Sequence, residues 1–512
     1  MLHIDREIMK IVSLLAIVFC CTALAAQQNP KLMPKLGTVD QRFQSYNVKT
    51  AEVIGGRFWK PYGPPDVAAA KGASAFEQRG PINLSNPRLR KLAEALGPAY
   101  VRISGTWSNT AYFHDSDGPP LATPPPGFSG VLTRAQWKGV VDFAKAVDAK
   151  IVTSFAISEG TRDTSGAWTP NEAHKFLDFT RSVGGSIAAG EFMNGPTFID
   201  VGGLPKGYDA AAYGRDFALF HPFIWKEAPA VILLGPSAVA EGTDSPSTKL
   251  LPAKELLEVS QEDTLDVFSY HFYGAASERC RAMLGEKALT SAEAALTEDW
   301  LSRTSVIEAF YAGLRDQFAP GKPMWVTESG QAACGGDRWA STFLDSFHYV
   351  DELGRLAQQH VQVIMHNTLA ASDYGLIDDV TLTQRPNYWA ALLWHRTMGT
   401  AVLDPGKAES PLVHLYAHCT KDHAGGVTIH ALNLSTSASQ SIYVPQRSVR
   451  FALTAPELTS RTAQLNDRVL KLTDKNEIPT LSSIPTSAGV VELPAASITF
   501  LTLNEASNLT CW

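Results

Sequence analysis

From about residue 85 to 400 the chain alternates short, β-rich apolar runs with longer stretches of helical periodicity. The runs "AYVRISG" (99–105), "AKIVTSFAI" (149–157), "SIAAGEF" (186–192), "AVILLGPS" (230–237), "LDVFSYHFY" (265–273), "PMWVTES" (323–329) and "VQVIMHN" (361–367) read as strands. Between them lie patterns such as "ASTFLDSFHYVDELGRLAQQH", where Phe343, Phe347, Val350 and Leu353 recur at three- and four-residue spacing and mark one buried helix face. Repeated βα units imply a parallel sheet covered by helices, and this number of strands favours a (β/α)8 TIM barrel over an open doubly wound sheet. The absence of a dinucleotide fingerprint removes the main reason to prefer the open sheet.

After about residue 402 the texture changes to short segments, "GVTIHALNLS", "QSIYVPQ" and "ASITFLTLN", separated by Ser-, Thr-, Pro- and Gly-rich turns. They predict an additional all-β sandwich domain. The expected division is a barrel over 85–401 and a sandwich over 402–512, with the segment 26–84 contributing strands to the sandwich.

Length and charge narrow the class. At 512 residues the chain exceeds the ~250–300 at which single cores stop growing, so two domains are expected. A formal net charge of −7 without long Lys or Arg runs argues against a nucleic-acid partner. At the N-terminus, Arg6 and Lys10 precede the apolar run "IVSLLAIVFCCTALA" and the small-residue pattern Ala23-Leu24-Ala25, the order of a secretory signal peptide over 1–25. The run is shorter than the ~20 residues of a spanning helix, so no integral membrane span is expected after its removal. A secreted or periplasmic location follows, in which Cys280, Cys334, Cys419 and Cys511 are free to form disulfides. No Cys-x-x-Cys, His-Glu-x-x-His or glycine-rich phosphate loop is present, so no metal or other cofactor is expected.

In a (β/α)8 barrel the working groups project from the C-terminal ends of the strands. Glu328 in "MWVTESG" fits, because an apolar run ends there in a carboxylate. "EFMNGPTF" (191–198) also closes an apolar run, and its Asn194-Gly195-Pro196 reads by itself as a turn.

Longer stretches resemble glycoside hydrolase family 79, the heparanase and β-glucuronidase family. "NPRLRKLAEALGPAYVRISGTWSNTAYF" is similar to that family's barrel entrance, and "MWVTESGQAACGGDRWASTFLDSFHYVDELGRLAQQHVQVIMHNTLAASDYGLID" to its nucleophile strand, the following helix and the substrate-binding loop after the next strand. The resemblance runs from about residue 83 to the end and implies a retaining glycosidase with Glu328 as nucleophile. Such a mechanism uses a second carboxyl ~5–5.5 Å away as acid/base. The family carries it in an Asn-Glu-Pro triplet, where this chain has Gly195. Glu191 is too far along an extended strand, at ~3.3 Å per residue, to replace it unaided, and reads as a structural ion-pair residue.

By the same resemblance Asn194 contacts the sugar 2-hydroxyl and Tyr374 the uronate carboxylate, with backbone N–H groups around Ser372 and Gly375 facing the same anion. Gly335 and Gly336 match a glycine pair close to the sugar, and Asn367 stands where some relatives have Gln. Asn109 occupies a position that is Asp in heparanase, where the resemblance implies a contact to the sugar, and His271 and Tyr273 match strand-end residues beside the nucleophile. Cys419 and Cys511 resemble the family's paired cysteines in the sandwich. Cys280 and Cys334 both follow strand ends on the presumed active face, which makes a second bridge a further expectation. The implied substrate is a carbohydrate containing β-linked glucuronic acid. The expected activity is a β-glucuronidase-like hydrolase impaired by Gly195, the alternative being an inactive, lectin-like glucuronate-binding protein on the same scaffold.

Overall fold

The apolar runs read from the sequence form seven consecutive strands of a closed barrel, and an eighth precedes them. The structure is a computed structural model that describes residues 29–62, 75–199, 202–242, 250–260 and 264–512. Its barrel strands are β1 (Gln44–Lys49), β2 (Ala99–Ser104), β3 (Ala149–Ser154), β4 (Ile187–Glu191), β5 (Ile232–Ala238), β6 (Val267–Tyr273), β7 (Met324–Gly330) and β8 (Val363–His366). Each pairs in parallel with the next, and β8 returns to β1 through Ile364 opposite Gln44 and His366 opposite Tyr46.

The segment expected to join the sandwich divides instead. Lys35–Thr38 pairs antiparallel with Met398–Leu403, but β1 belongs to the barrel, which therefore begins at residue 44 and not at 85. The sequence "QSYNVK" hides this because its inward positions Ser45, Asn47 and Lys49 are polar, while only Tyr46 and Val48 join the apolar layer beneath the helices. The segment 1–25 lies outside the described residues.

Side-chain parity divides the barrel into layers. Tyr100, Val152, Ala189, Leu234, Val267, Trp325, Val363 and Met365 pack together inside the barrel, with the Tyr100 and Trp325 rings 4.9 Å apart. Their neighbours Val101, Ile103, Ile151 and Phe268 face outward into the helix layer. Fully burying such a side chain contributes ~1.5–3 kcal/mol, so the interior plug fixes the strand register from which the site is built.

The sandwich follows from the same two-residue period. Along Val413–Thr420, the residues Val413, Leu415, Ala417 and Cys419 pack against Ile442, Val444, Val491 and Leu493 of a two-stranded ribbon. The alternate residues His414 and Tyr416 face the barrel, where the His414 imidazole and the Tyr416 hydroxyl reach Asp351 Oδ1 at 2.6 and 2.5 Å. The helix Phe343–Gln358, caught between barrel and sandwich, is consequently buried on nearly all sides. Gly354 permits that contact, since a Cβ there would lie 2.4 Å from the Tyr416 ring. Disulfides join Cys419 to Cys511 and Cys280 to Cys334. No helix among the described residues is long and apolar enough to cross a membrane.

Candidate active site

The parity that buries Trp325 inside the barrel would, continued without interruption, turn Glu328 outward with Val326. A β-bulge reverses it. Between β6 and β7, Tyr270 lies opposite Val326 but the next residue, His271, lies opposite Glu328, so Thr327 is the extra residue. Such an insertion re-aims the side chains beyond it. Glu328 therefore points into the barrel mouth, and Ser329 points outward to donate to Glu352 Oε1 on the helix Phe343–Gln358.

Inside the mouth Glu328 meets two cations. Lys49, at the end of β1, forms a close ion pair with Oε2, and Arg102 from β2 donates to the same oxygen at 3.0 Å. The Tyr273 hydroxyl donates to Oε1, and the Asn367 amide donates to that hydroxyl at 2.7 Å. Burial pushes the Glu328 carboxyl up, but Lys49, His271 and Arg102 outweigh it and hold the group well below the usual carboxylate range. Burial pushes Lys49 down to about 8 against the pull of Glu328, and burial pushes His271 down to about 4, so that imidazole is neutral at pH 7. The cluster thus presents an ionised, hydrogen-bonded carboxylate whose charge is matched before a ligand arrives.

Arg102 organises this cluster and is fully buried. Its guanidinium donates to Glu191 Oε2 at 2.6 and 3.2 Å, Asn47 Oδ1 at 3.0 Å and Asn194 Oδ1 at 2.8 Å, besides Glu328. A planar fork is suited to such simultaneous contacts, which an ammonium cannot reproduce. Glu191 is accordingly a buried ion-pair residue, at 2.6 Å from Arg102.

Asn194 begins the turn after β4 and is held from both sides. Its backbone N–H donates to Asn109 Oδ1 at 2.9 Å, and the Asn109 amide donates to the carbonyls of Asn194 and Gly202 at 2.9 and 2.8 Å. Asn109 is fully buried with its amide consumed by backbone, so it braces the turn and does not face a ligand. The next residue, Gly195, has a φ of +56°, in the left-handed region, and a Cβ there would meet only Val239 Cγ1, at 3.7 Å. Glu328 contributes the only carboxylate among the described residues lining the cavity. Glu241 follows β5 and burial pushes its carboxyl up to about 7, but both its oxygens accept from the Ala253 N–H, away from the cavity.

The opposite wall carries Tyr374, whose loop is tied to its neighbours. Arg279 donates to the Cys334 carbonyl, Ser372 Oγ and Asp373 Oδ2 at 2.9, 3.1 and 2.5 Å, and stacks over Tyr62 at 4.0 Å. The Cys280–Cys334 disulfide joins the same two loops covalently. Gly335 and Gly336 allow the close packing: a Cβ on Gly335 would lie 2.2 Å from Arg279 Nη1, and one on Gly336 would lie 2.9 Å from the Tyr374 nitrogen. The N–H groups of Asp373 and Tyr374 both donate to the Gly335 carbonyl, so they hold the loop and are not turned to an anion.

Of the residues singled out from the sequence, Asn194, Gly195, His271, Tyr273, Glu328 and Tyr374 line one cavity of about 700 Å³. Asn109, Gly335, Gly336, Asn367 and Gly375 lie behind that lining and support it. Sequence reasoning missed Lys49 and Arg102. Arg102 left a signal, a charged residue inside the apolar run "AYVRISG", since a buried Arg requires partners. Among the described residues lining the cavity, only Glu328 and His271 offer a free metal-ligating atom, since Cys334 is held in a disulfide, and with Lys49 and Arg102 against the carboxylate their surroundings do not suit a cation.

An eight-stranded barrel with an ionised carboxylate in the pocket at its C-terminal mouth is the architecture of barrel glycoside hydrolases. The chain superposes on the family 51 arabinofuranosidase of Xanthomonas axonopodis pv. citri with a TM-score of 0.59 at 16% identity, covering 92% of this chain and 97% of that one. Residues 73–354 match the model of the glycosyl hydrolase family 79 N-terminal domain. Heparanase-like protein 1 of Arabidopsis thaliana is 30% identical over 380 residues, 71% of this chain and 67% of its own length. Baicalin-beta-D-glucuronidase of Scutellaria baicalensis is 30% identical over 238 residues, 44% of this chain and 43% of its own. The chain belongs to glycoside hydrolase family 79.

Proposed function

We propose that this protein is a secreted retaining glycoside hydrolase acting on β-linked glucuronic acid, with Glu328 as its nucleophile. The observation that carries this is the bulge-directed Glu328 carboxylate, ionised by Lys49 and Arg102 and oriented by Tyr273. Attack of Glu328 on the anomeric carbon passes through an oxocarbenium-like transition state, next to which a matched negative charge is stabilising. Asn194, its Oδ1 held by Arg102, is set to donate its amide hydrogens to the 2-hydroxyl, a contact that strengthens in that transition state. Tyr374, on the wall braced by Arg279 and the disulfide, is the group for the uronate carboxylate. Gly195 occupies the place of the acid/base, so protonation of the leaving oxygen and activation of the second-step water lack a side chain. Export is supported by the N-terminal sequence pattern together with two disulfides.

The test is covalent trapping with a 2-deoxy-2-fluoro-β-glucuronyl fluoride, which needs no acid assistance to react. The expected result is one glucuronyl adduct per chain by intact mass, mapped to Glu328 and absent in Glu328→Gln. A lectin-like role, favoured by the lack of a second carboxylate, predicts saturable glucuronate binding with no adduct at any reagent concentration.

A further inference from the structure

Lys49 ends β1 at the floor of the cavity, is 2% exposed, and has Glu328 as its only ion-pair partner among the described residues. Beyond that contact its Nζ has no hydrogen-bond partner among them. Glu52, the nearest carboxylate along the chain, takes the Lys49 backbone N–H at 2.9 Å instead. Arg102 differs, because it holds Glu191 at 2.6 Å as well as Glu328. The cavity's other cations, Lys287 and Arg303, stand on the segment after β6, where Arg303 donates to the Gly274 carbonyl at 3.0 Å, and neither pairs with Glu328. Tyr374 follows β8, and β8 pairs with β1, so barrel closure brings Lys49 and Tyr374 to one wall, with Gly195 across the mouth after β4.

We infer that Lys49 is the counter-ion of the substrate's uronate carboxylate, and that it makes the Glu328 site prefer a glucuronide to the corresponding glucoside. This rests on the glucuronidase reading and deepens it by naming the residue that selects the sugar. In the first step C1 bonds to a Glu328 oxygen while the leaving oxygen departs with the C1–O electrons and takes its proton from solvent. The carboxylate thereby becomes a neutral ester. Arg102 keeps Glu191, but Lys49 loses its ion-pair partner inside a buried site, a strongly disfavoured state for an ammonium. A uronate carboxylate replaces the lost charge, and the 6-hydroxyl of a glucoside does not. The reach fits, since C1 and the C5 that bears the carboxylate flank the same ring oxygen, and an ammonium with bonds of about 2.8 Å on either side bridges oxygens about 5.6 Å apart. The loop groups that could serve in its place, the N–H groups of Asp373 and Tyr374, already donate to the Gly335 carbonyl.

The experiment times covalent trapping by 2-deoxy-2-fluoro-β-D-glucuronyl fluoride and by the matching β-D-glucosyl fluoride, which differ only at C6, in the unmodified chain and in Lys49→Met. Intact mass follows the adduct on Glu328. The unmodified chain is expected to react about tenfold or more faster with the glucuronyl reagent, and Lys49→Met to shrink that preference about tenfold or more, the weight of a hydrogen bond between charged groups. A Lys49 that served only to set the charge of Glu328 would slow both reagents alike. An unchanged glucuronyl-to-glucosyl ratio in Lys49→Met would therefore overturn the inference and leave the glucuronidase reading standing. A crystal structure of the unmodified glucuronyl adduct decides independently of how the variant folds. Lys49 Nζ is expected about 3 Å from a uronate oxygen, and a separation beyond about 4 Å would overturn the inference. If no glucuronyl adduct forms on Glu328 of the unmodified chain, the glucuronidase reading falls and the inference falls with it.

Discussion

Removing Arg102 tests whether the site is held by one buried guanidinium. In Arg102→Met the apolar stem is kept, but Glu191 loses both its bonds at 2.6 and 3.2 Å, Glu328 one at 3.0 Å, and Asn47 and Asn194 one each. Glu328 retains Lys49 and Tyr273, so the uncompensated group is Glu191, which has no other cation beside it among the described ion pairs. Leaving one partner of a buried pair alone costs ~3–5 kcal/mol. At ~2.1 cal/mol/K of unfolding entropy per residue, this is a fall in Tm of about 3–5 °C for a chain of 512 residues. Differential scanning calorimetry of Arg102→Met, Glu191→Gln and the double variant forms a cycle. The double variant should recover at least ~1 kcal/mol of the single-variant loss, since neutralising Glu191 removes the stranded charge. An Arg102→Met protein that melts within 1 °C of the parent, about the cost of a surface substitution, or a double variant no more stable than Arg102→Met, would refute the assignment. A parallel loss of glucuronate binding is expected, because Asn194 is freed from its 2.8 Å donor.

Other outcomes follow from the same geometry. Glu328→Gln should lower turnover of 4-nitrophenyl β-glucuronide by on the order of 10⁴-fold or more while glucuronate binding, read by calorimetry, persists. Activity of the unmodified chain should decline as pH rises through about 8, where Lys49 loses its proton and Glu328 one of its two cations; Lys49→Met should remove that alkaline limb, and a limb that survives there would assign it elsewhere. Burial pushes the carboxyls of Glu352 and Asp345 up to about 8 from 4.5 and 3.8. Their contribution to stability is complete below pH ~4 and lost as pH rises through about 8, so Tm should fall between pH 5 and 9, less steeply in Glu352→Gln. Replacing Cys280 and Cys334 together by Ala should raise KM for glucuronides, because the bridge joins the loop of Arg279 to the glycine pair behind Tyr374; the Cys419 and Cys511 pair should instead cost ~2–4 kcal/mol of stability with KM unchanged.

Seven of the eight barrel strands were legible as apolar runs because a strand buried between helices and a packed interior is apolar over most of its length. β1 was not, since Ser45, Asn47 and Lys49 place polar groups on the inward face that the mechanism occupies, and local pattern cannot distinguish such a strand from an exposed one. The sequence did determine the βα order, the all-β character of the C-terminal segment, the strand-end Glu328 and the absence of a carboxyl at residue 195. Tertiary structure decided how these meet. Strand alternation alone turns Glu328 toward the helices, and only pairing with β6 reveals the bulge at Thr327 that turns it inward. Asn109 read as a ligand contact until the backbone of Asn194 was found to occupy both ends of its amide. Lys49 and Arg102 lie 279 and 226 residues before Glu328, and the charge they impose on it depends on distances of a few ångströms that barrel closure sets. Composition and spacing carry a residue's chemistry, but its ionisation and aim are properties of its neighbours in space.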